Sequence, residues 1–343
     1  MVITLKEHNS HAYIQSLTAD LTPALRWDGN TPIPEWQKAA REKLQELLGL
    51  PLTACADELN ILAEKQCDGY TRRDFEFQSE PGYFVSASIL VPDGVSKPNS
   101  TVICIQGHSR GMHISLGEAK YPEDAQSIAG GRDFAVRAVK EGLCAVTLEQ
   151  RYMGSAGHVE GGLPACRRNN EAMATLLLGR TAIGERVWDI SRLIDVMTTH
   201  FADVIDANRI VCMGNSGGGT ATFYASCLDE RIHMAVPSCS VCTYQDSIIA
   251  MDHCPCNFIP GIRKYFEMGD LGGLIAPRKL IVVCGIRDSI FPLDGVHKAY
   301  GDIRRFYTAV GKEDIITLVE GDGGHQFYPD DAWPVMHQFL EKE

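Results

Sequence analysis

The chain has 343 residues, of which 45% are hydrophobic and 22% charged, and a formal net charge of −12. This composition is typical of a folded globular protein and excludes a disordered chain. The acidic balance, without a cluster of lysine or arginine, excludes nucleic acid as a partner, because such a surface repels phosphate backbones. The longest apolar runs are of strand length, far short of the roughly 20 residues that cross a bilayer, so we expect no membrane partner.

The first thirty residues contain several charged side chains and no continuous apolar core, so they do not have the pattern of a secretory signal. The chain has twelve cysteines, and several of them lie inside predicted strands. Buried cysteines without an obvious pairing pattern are typical of reduced thiols. We therefore expect a cytoplasmic protein.

The N-terminal part of the chain predicts a helix followed by a hairpin. Residues 34–48 space their apolar positions for an amphipathic helix, which Gly49 and Pro51 end. Residues 72–80 and 83–92 alternate apolar and polar side chains on either side of a Pro-Gly turn, which indicates an antiparallel hairpin. We predict that residues 1–70 form a helical extension packed on a main domain of residues 71–343.

Beyond the hairpin, short strand-like runs alternate with helical patterns. The helical patterns include residues 133–142 and 186–201. This alternation predicts βαβ units, and hence an α/β fold with a mostly parallel central sheet and helices on both faces. The predicted strands are residues 101–106, 143–149, 209–214, 234–241, 279–285 and 315–321.

The pattern Gly-x-Ser-x-Gly occurs twice, as "GHSRG" at 107–111 and as "GNSGG" at 214–218. In α/β-hydrolases this pattern surrounds a nucleophilic serine on a tight turn between a strand and a helix. Only Ser216 follows a predicted strand and precedes a predicted helix, whereas the residues after Ser109 are interrupted by glycine and proline. We predict that Ser216 is the nucleophile and that the pattern at Ser109 is a coincidence of a glycine-rich turn.

Two further residues complete a candidate catalytic set. Asp288 follows the strand 279–285, and His325 follows the strand 315–321. The order Ser, Asp, His is the one expected of α/β-hydrolases, in which the imidazole takes the serine proton and the carboxylate orients the imidazole. Asp322 is a rival for the acid, but its position three residues before His325 is more typical of a turn cap.

The loop after the strand 101–106, the third strand predicted from the hairpin onwards, indicates an oxyanion hole. In this architecture that loop donates one backbone N–H, and the residue after the nucleophile donates the other. We therefore predict the backbone N–H groups of His108 and Gly217 as the two donors.

Several stretches resemble one family. "RVWDISRLIDVM", "RIVCMGNSGGGTATFYASCLDERI", "GDGGHQF" and the long segment from Cys256 to Val296 are similar to the acetyl xylan esterase-like branch of the dienelactone hydrolase-related α/β-hydrolases. The resemblance covers roughly residues 60–340. It implies an α/β-hydrolase fold and a serine carboxylester hydrolase, with Ser216, Asp288 and His325 as nucleophile, acid and base.

Residues 243–275 lie between two predicted strands and are too long for a simple crossover, so we expect a small cap that shapes the substrate pocket, with Phe258, Tyr265 and Phe266 as its apolar wall.

Two cysteines lie just before this segment, and two lie within it. Thiolates at such spacings can bind zinc. We nevertheless expect packing roles, no metal and no other cofactor for these cysteines, which are Cys239, Cys242, Cys254 and Cys256.

Together these patterns predict a single-domain α/β-hydrolase that acts on a small-molecule ester through a Ser-His-Asp triad and an acyl-enzyme. An acylated carbohydrate is one candidate substrate, and a homo-oligomer is left open. One alternative is a serine peptidase of the prolyl oligopeptidase type, although no propeller repeats precede the hydrolase domain. The other is a non-catalytic binding protein on a hydrolase scaffold.

Overall fold

The computed structural model describes residues 9–95, 97–157 and 171–342. The first eight residues of the predicted extension therefore lie outside the described residues, as do segment 158–170 and residues 96 and 343 of the predicted main domain. No helix in the described part of the chain combines the length and apolar character that a membrane crossing needs.

Nine strands of the described chain form one sheet in the order β1-β2-β3-β5-β4-β6-β7-β8-β9. Pairing is antiparallel from β1 to β3 and between β3 and β5, and parallel from β5 through β4 to β9. The predicted hairpin and the predicted mostly parallel sheet are both confirmed. The strands are β1 Leu59–Cys67, β2 Tyr70–Glu80, β3 Tyr83–Pro92, β4 Asn99–Ile105, β5 Cys144–Leu148, β6 Ile205–Asn215, β7 Ile232–Ser238, β8 Lys279–Gly285 and β9 Ile316–Gly321.

Strand β1 was not predicted, and it makes β4 the fourth strand along the chain rather than the third. Nearly all of its residues are exposed, so no alternation of buried and exposed side chains marks it in the sequence. It pairs with β2 at the edge of the sheet. The predicted helical extension 1–70 thus also contains a strand.

Helices cover both faces of the sheet, as predicted. Successive residues of β4 show this directly, because Ile103 belongs to the largest core cluster, called here the larger cluster, and the adjacent Val102 belongs to a second, smaller cluster on the opposite face. The helices are α1 Ser10–Ala19, α2 Ile33–Leu48, α3 Asp124–Ser127, α4 Phe134–Lys140, α5 Glu171–Ala174, α6 Ala182–His200, α7 Gly217–Leu228, α8 Met268–Gly272, α9 Leu293–Ala309 and α10 Pro329–Glu341. Side chains of α2, α6, α7 and α9 enter the larger cluster, and those of α4 and α10 enter the smaller one.

The insertion 243–275 lies between β7 and β8 and contains α8 and two short 3-10 turns. The three aromatic residues predicted as its apolar wall do not lie together. Phe266 is fully buried in the larger core cluster, whereas Phe258 is 44% exposed and lines an apolar groove beside α1. Tyr265 packs under the ammonium group of Lys43, at 4.8 Å. The predicted aromatic wall is therefore wrong.

Candidate active site

Ser216 lies on a strained turn between β6 and α7. Its φ of +57° and ψ of −123° are uncommon for a residue with a side chain. The turn is so tight that a β-carbon on Gly214 would lie 2.5 Å from the carbonyl oxygen of Gly218. The backbone N–H of Ser216 donates to the carbonyl oxygen of Ser238 at the end of β7, at 2.8 Å. The chain thus holds the serine hydroxyl at the carboxyl edge of the sheet.

His325 connects this serine to a buried carboxylate. Its Nε2 lies 2.8 Å from Oγ of Ser216, and its Nδ1 lies 2.7 Å from Oδ2 of Asp288. The Asp288 side chain is fully buried, and the His325 side chain is 21% exposed. The ring of Phe291 stacks on the imidazole with ring centroids 5.8 Å apart. The three predicted residues, from three separate strand ends, therefore form one continuous hydrogen-bonded chain.

The surroundings of Asp288 favour its ionised form. Burial alone would raise the pKa of this carboxyl, but the hydrogen bond and the charge of His325 act against burial. The backbone N–H groups of Ile290 and Phe291 donate to Oδ1 at 2.8 and 3.1 Å. Together these contacts lower the pKa of Asp288 below its ordinary value, so the carboxylate is charged at neutral pH.

Neither of the competing residues has this geometry. Asp322 is exposed, whereas Asp288 accepts the bond from the imidazole. Ser109 lies in the loop after β4, and a 3-10 turn, Met112–Ile114, follows it instead of a helix. Its hydroxyl is buried without a hydrogen-bond partner in the described chain.

The two predicted oxyanion residues meet at the turn. A β-carbon on Gly217 would lie 2.6 Å from Cε1 of His108, so the imidazole of His108 packs directly on this glycine. Gly107 also approaches closely, because a β-carbon there would lie 2.5 Å from the carbonyl oxygen of Asn215. Gly217 is the first residue of α7, where backbone N–H groups have no intrahelical acceptor. The loop and the helix start thus frame the serine from two sides.

Sequence reasoning missed the groups that hold this loop in place. The side-chain amide of Gln106 donates to Oγ of Ser115 at 2.7 Å and to the carbonyl oxygen of Arg132 at 2.6 Å. The Arg132 guanidinium donates back to Oε1 of Gln106 at 3.0 Å, and the amide of Gln150 donates to the Gln106 carbonyl oxygen. These partners are up to 44 residues apart, so no local pattern could indicate them.

Glu149 is a second buried carboxylate, and it directly follows β5. Its oxygens accept from the backbone N–H of Met112 at 3.2 Å and of Ser155 at 3.4 Å. Burial raises the pKa of Glu149 to about 7, because these long contacts do not compensate the loss of hydration.

The four cysteines considered for zinc do not converge in the described structure. Cys239 lies near Asp288 and His325, and burial raises the pKa of its thiol to about 12. The Cys242 thiol lies 3.7 Å from the carbonyl oxygen of Pro292. Cys254 and Cys256 instead lie beside His108.

The strand order, the strained serine turn and the Ser-His-Asp arrangement define an α/β-hydrolase. The comparison with protein families agrees: residues 8–304 match the Abhydrolase family, and the chain belongs to this family. The fold class and the resemblance predicted from the sequence are confirmed.

Individual proteins with similar sequences or structures carry hydrolase names. The chain is 29% identical over 153 residues to "Putative hydrolase YtaP" of Bacillus subtilis, a match that spans 44% of this chain and 50% of that relative. A "putative acetyl xylan esterase" from Bacteroides fragilis superposes with a TM-score of 0.77, at 21% identity over 94% of this chain and 85% of that one. A glucuronoyl esterase from Solibacter usitatus gives a TM-score of 0.68, at 13% identity over 94% and 98% of the two chains. At these identities the structures establish the common fold.

Proposed function

We propose that this protein is a serine carboxylester hydrolase that cleaves a small acyl ester through a covalent acyl-enzyme. The observation that carries the proposal is the position of the His325 imidazole, 2.8 Å from the Ser216 hydroxyl and 2.7 Å from the Asp288 carboxylate. A serine hydroxyl is a weak nucleophile at neutral pH, and a neighbouring imidazole removes this limitation by accepting its proton.

In the first half of the reaction, Oγ of Ser216 attacks the ester carbonyl carbon while Nε2 of His325 accepts the serine proton. This requires the tautomer in which Nδ1 carries hydrogen and donates to Asp288. The carbonyl π bond breaks, and its oxygen takes the negative charge of a tetrahedral intermediate. The backbone N–H groups of His108 and Gly217 stabilise that oxygen, a contribution of about 10² to 10³ in rate for each donor.

In the second half, His325 returns the proton to the alkoxy oxygen as the bond from carbon to that oxygen breaks. The alcohol leaves, and the acyl group remains on Ser216. A water molecule then repeats the attack with His325 as the base, which releases the acid and restores the serine. Both halves use the same hydrogen-bonded chain, so no cofactor is required.

We propose acylated carbohydrates as the substrate class. The support is the fold shared with proteins named acetyl xylan esterase, methylesterase and glucuronoyl esterase. We propose the cytoplasm as the location, since free buried thiols such as Cys212 are typical of proteins from a reducing compartment.

A substrate panel tests the activity. It contains p-nitrophenyl acyl esters of increasing chain length, aminoacyl amides, acetylated xylo-oligosaccharides and methyl esters of glucuronate, each assayed with the wild type and with Ser216→Ala. We expect turnover of esters, with acetyl groups favoured, and loss of turnover in the variant. Turnover of amides would favour the peptidase, and no turnover at all would favour the binding protein.

A further inference from the structure

Three ligand-type side chains meet beside the serine turn. His108 comes from the loop after β4, and Cys254 and Cys256 come from the insertion between β7 and β8. Nε2 of His108 lies 3.1 Å from Sγ of Cys256, whose sulfur lies 3.1 Å from Sγ of Cys254. All three donor atoms lie within 4.8 Å of one another, and both cysteines are buried.

We propose that His108, Cys254 and Cys256 form a zinc site that ties the insertion to the loop beside the active-site serine. One imidazole nitrogen and two sulfur atoms are the donor types that zinc prefers. Cys254 is the N-cap of a short 3-10 turn, Pro255–Asn257, and Cys256 lies within that turn, with the two sulfurs 3.1 Å apart. His108 arrives from a distant part of the chain. A metal site requires its donor atoms to converge in this way, whereas core packing alone does not require it.

The distances suit a zinc ion after a small expansion. Around a tetrahedral zinc, two sulfurs lie about 3.8 Å apart, and a sulfur and a nitrogen lie about 3.5 Å apart, given bonds of about 2.3 and 2.0 Å. The contacts of Cys256 with His108 and Cys254, both 3.1 Å, would lengthen by about 0.4 and 0.7 Å respectively. The described residues supply three ligands, which leaves the fourth position to water or another ligand.

A second group of donors, Cys239 with Asp288 and His325, is as compact but does not suit a metal. Asp288 and His325 are hydrogen-bonded to each other, and His325 is also hydrogen-bonded to Ser216. A metal there would compete with the arrangement on which the proposed function depends. The cluster at His108 has no such conflict.

The location of the zinc gives it a consequence for catalysis, and this step rests on the proposed function. The His108 imidazole lies between Cys256 and Gly217, so an ion bound to Nε2 would fix the ring against the first residue of α7. The backbone N–H of His108 is one of the two proposed oxyanion donors. Loss of zinc should therefore lower kcat more than it raises KM, because the donor acts mainly in the transition state.

Cobalt binding tests the site without reference to activity. The full chain is reduced, stripped with a chelator and titrated with Co²⁺ alone. We expect one equivalent to produce a thiolate-to-cobalt charge-transfer band with ligand-field bands of tetrahedral intensity. One equivalent of Zn²⁺ should then abolish these bands, because zinc binds such sites more tightly than cobalt.

Variants assign the ligands. The double variant Cys254→Ser, Cys256→Ser should lose the charge-transfer band, and the milder Cys254→Ser should weaken it if the double variant does not fold. Cys242→Ser is the matched control, since this buried thiol near the insertion contacts Pro292 and should leave the cobalt spectrum unchanged.

Three results would overturn the proposal: the absence of a thiolate band in the wild type, an unchanged band in a folded Cys254→Ser, Cys256→Ser chain, or a Cys254–Cys256 disulfide that persists in the purified chain when zinc is present. Ester turnover, measured on the same samples, separates this outcome from failure of the proposed function. A chain that hydrolyses esters but gives no thiolate band refutes only the zinc site.

Discussion

The segments 107–111 and 214–218 share the pattern Gly-x-Ser-x-Gly but differ in local structure. In 214–218 the glycines allow a strained turn that presents Ser216 at the edge of the sheet. In 107–111 the first glycine allows the loop to approach Asn215, so this segment packs against the other one. The two copies of the pattern therefore lie on opposite sides of one close contact. The elements that follow them differ, since a helix follows Ser216 and a 3-10 turn follows Ser109.

Each segment is also connected to a buried carboxylate, 214–218 to Asp288 through His325 and 107–111 to Glu149 at Gly111, and the pKa values of the two carboxylates shift in opposite directions. Asp288 receives a bond from His325 and two short bonds from backbone N–H groups, so its pKa is lowered. Glu149, beside Gly111, receives only long contacts, and burial raises its pKa to about 7. Burial is common to both, so the hydrogen bond and the charge of His325, together with shorter backbone bonds, account for the lower pKa of Asp288.

The largest expected effect is that of Ser216→Ala. The substitution removes the proposed nucleophile, so kcat for a small ester should fall by roughly 10⁵ to 10⁶, with a residual rate from the proposed oxyanion donors. Steady-state kinetics with p-nitrophenyl acetate would measure this. A decrease of less than tenfold would remove Ser216 from the mechanism.

Asp288→Asn should have the next largest effect. The amide favours the wrong tautomer of His325, so kcat should fall by up to about 10⁴ while the fold is retained. Asp322→Asn, a change of an exposed carboxylate on the same loop as His325, is the control and should stay within twofold of the wild type. If the two variants exchanged these results, the acid would be Asp322.

Glu149→Gln tests the other carboxylate through stability. Its folded pKa of about 7 lies above the ordinary 4.5. The folded chain therefore holds a proton that the unfolded chain releases, and stability falls as the pH rises through this window. The variant should have a higher free energy of unfolding than the wild type at pH 8, by roughly 1 to 3 kcal/mol, and a similar one at pH 4.5.

Denaturant unfolding at the two pH values would measure this difference. Glu123→Gln is a suitable control, because this carboxylate is 68% exposed and its substitution should shift both values little. A wild type that is as stable as Glu149→Gln at pH 8 would contradict the raised pKa and the contrast with Asp288.

Ser109→Ala should have the smallest effect. The buried hydroxyl of Ser109 has no hydrogen-bond partner in the described chain, and alanine retains the backbone of the loop. We expect kcat and KM within about threefold of the wild type, since the proposed oxyanion donors are main-chain N–H groups. A loss of a hundredfold or more would show that this serine takes part in the reaction.

The sequence allowed prediction of the elements whose signals are local. Most of the parallel strands contain apolar runs because both faces of the sheet are buried, and Ser216, Asp288 and His325 each lie within four residues of a strand end. Strand β1 could not be predicted, since it is exposed along its length. The contact between His108 and Cys256 was also missed, because the two residues are 148 positions apart and only the folded insertion brings them together.

The most direct test of Ser216 as the nucleophile is to identify the serine that forms a covalent adduct. The wild-type chain is treated with a fluorophosphonate, digested with a protease and analysed by tandem mass spectrometry. We expect one adduct, on the peptide that contains Ser216, and no adduct in Ser216→Ala. An adduct on the peptide that contains Ser109, or labelling that persists in Ser216→Ala, would contradict it.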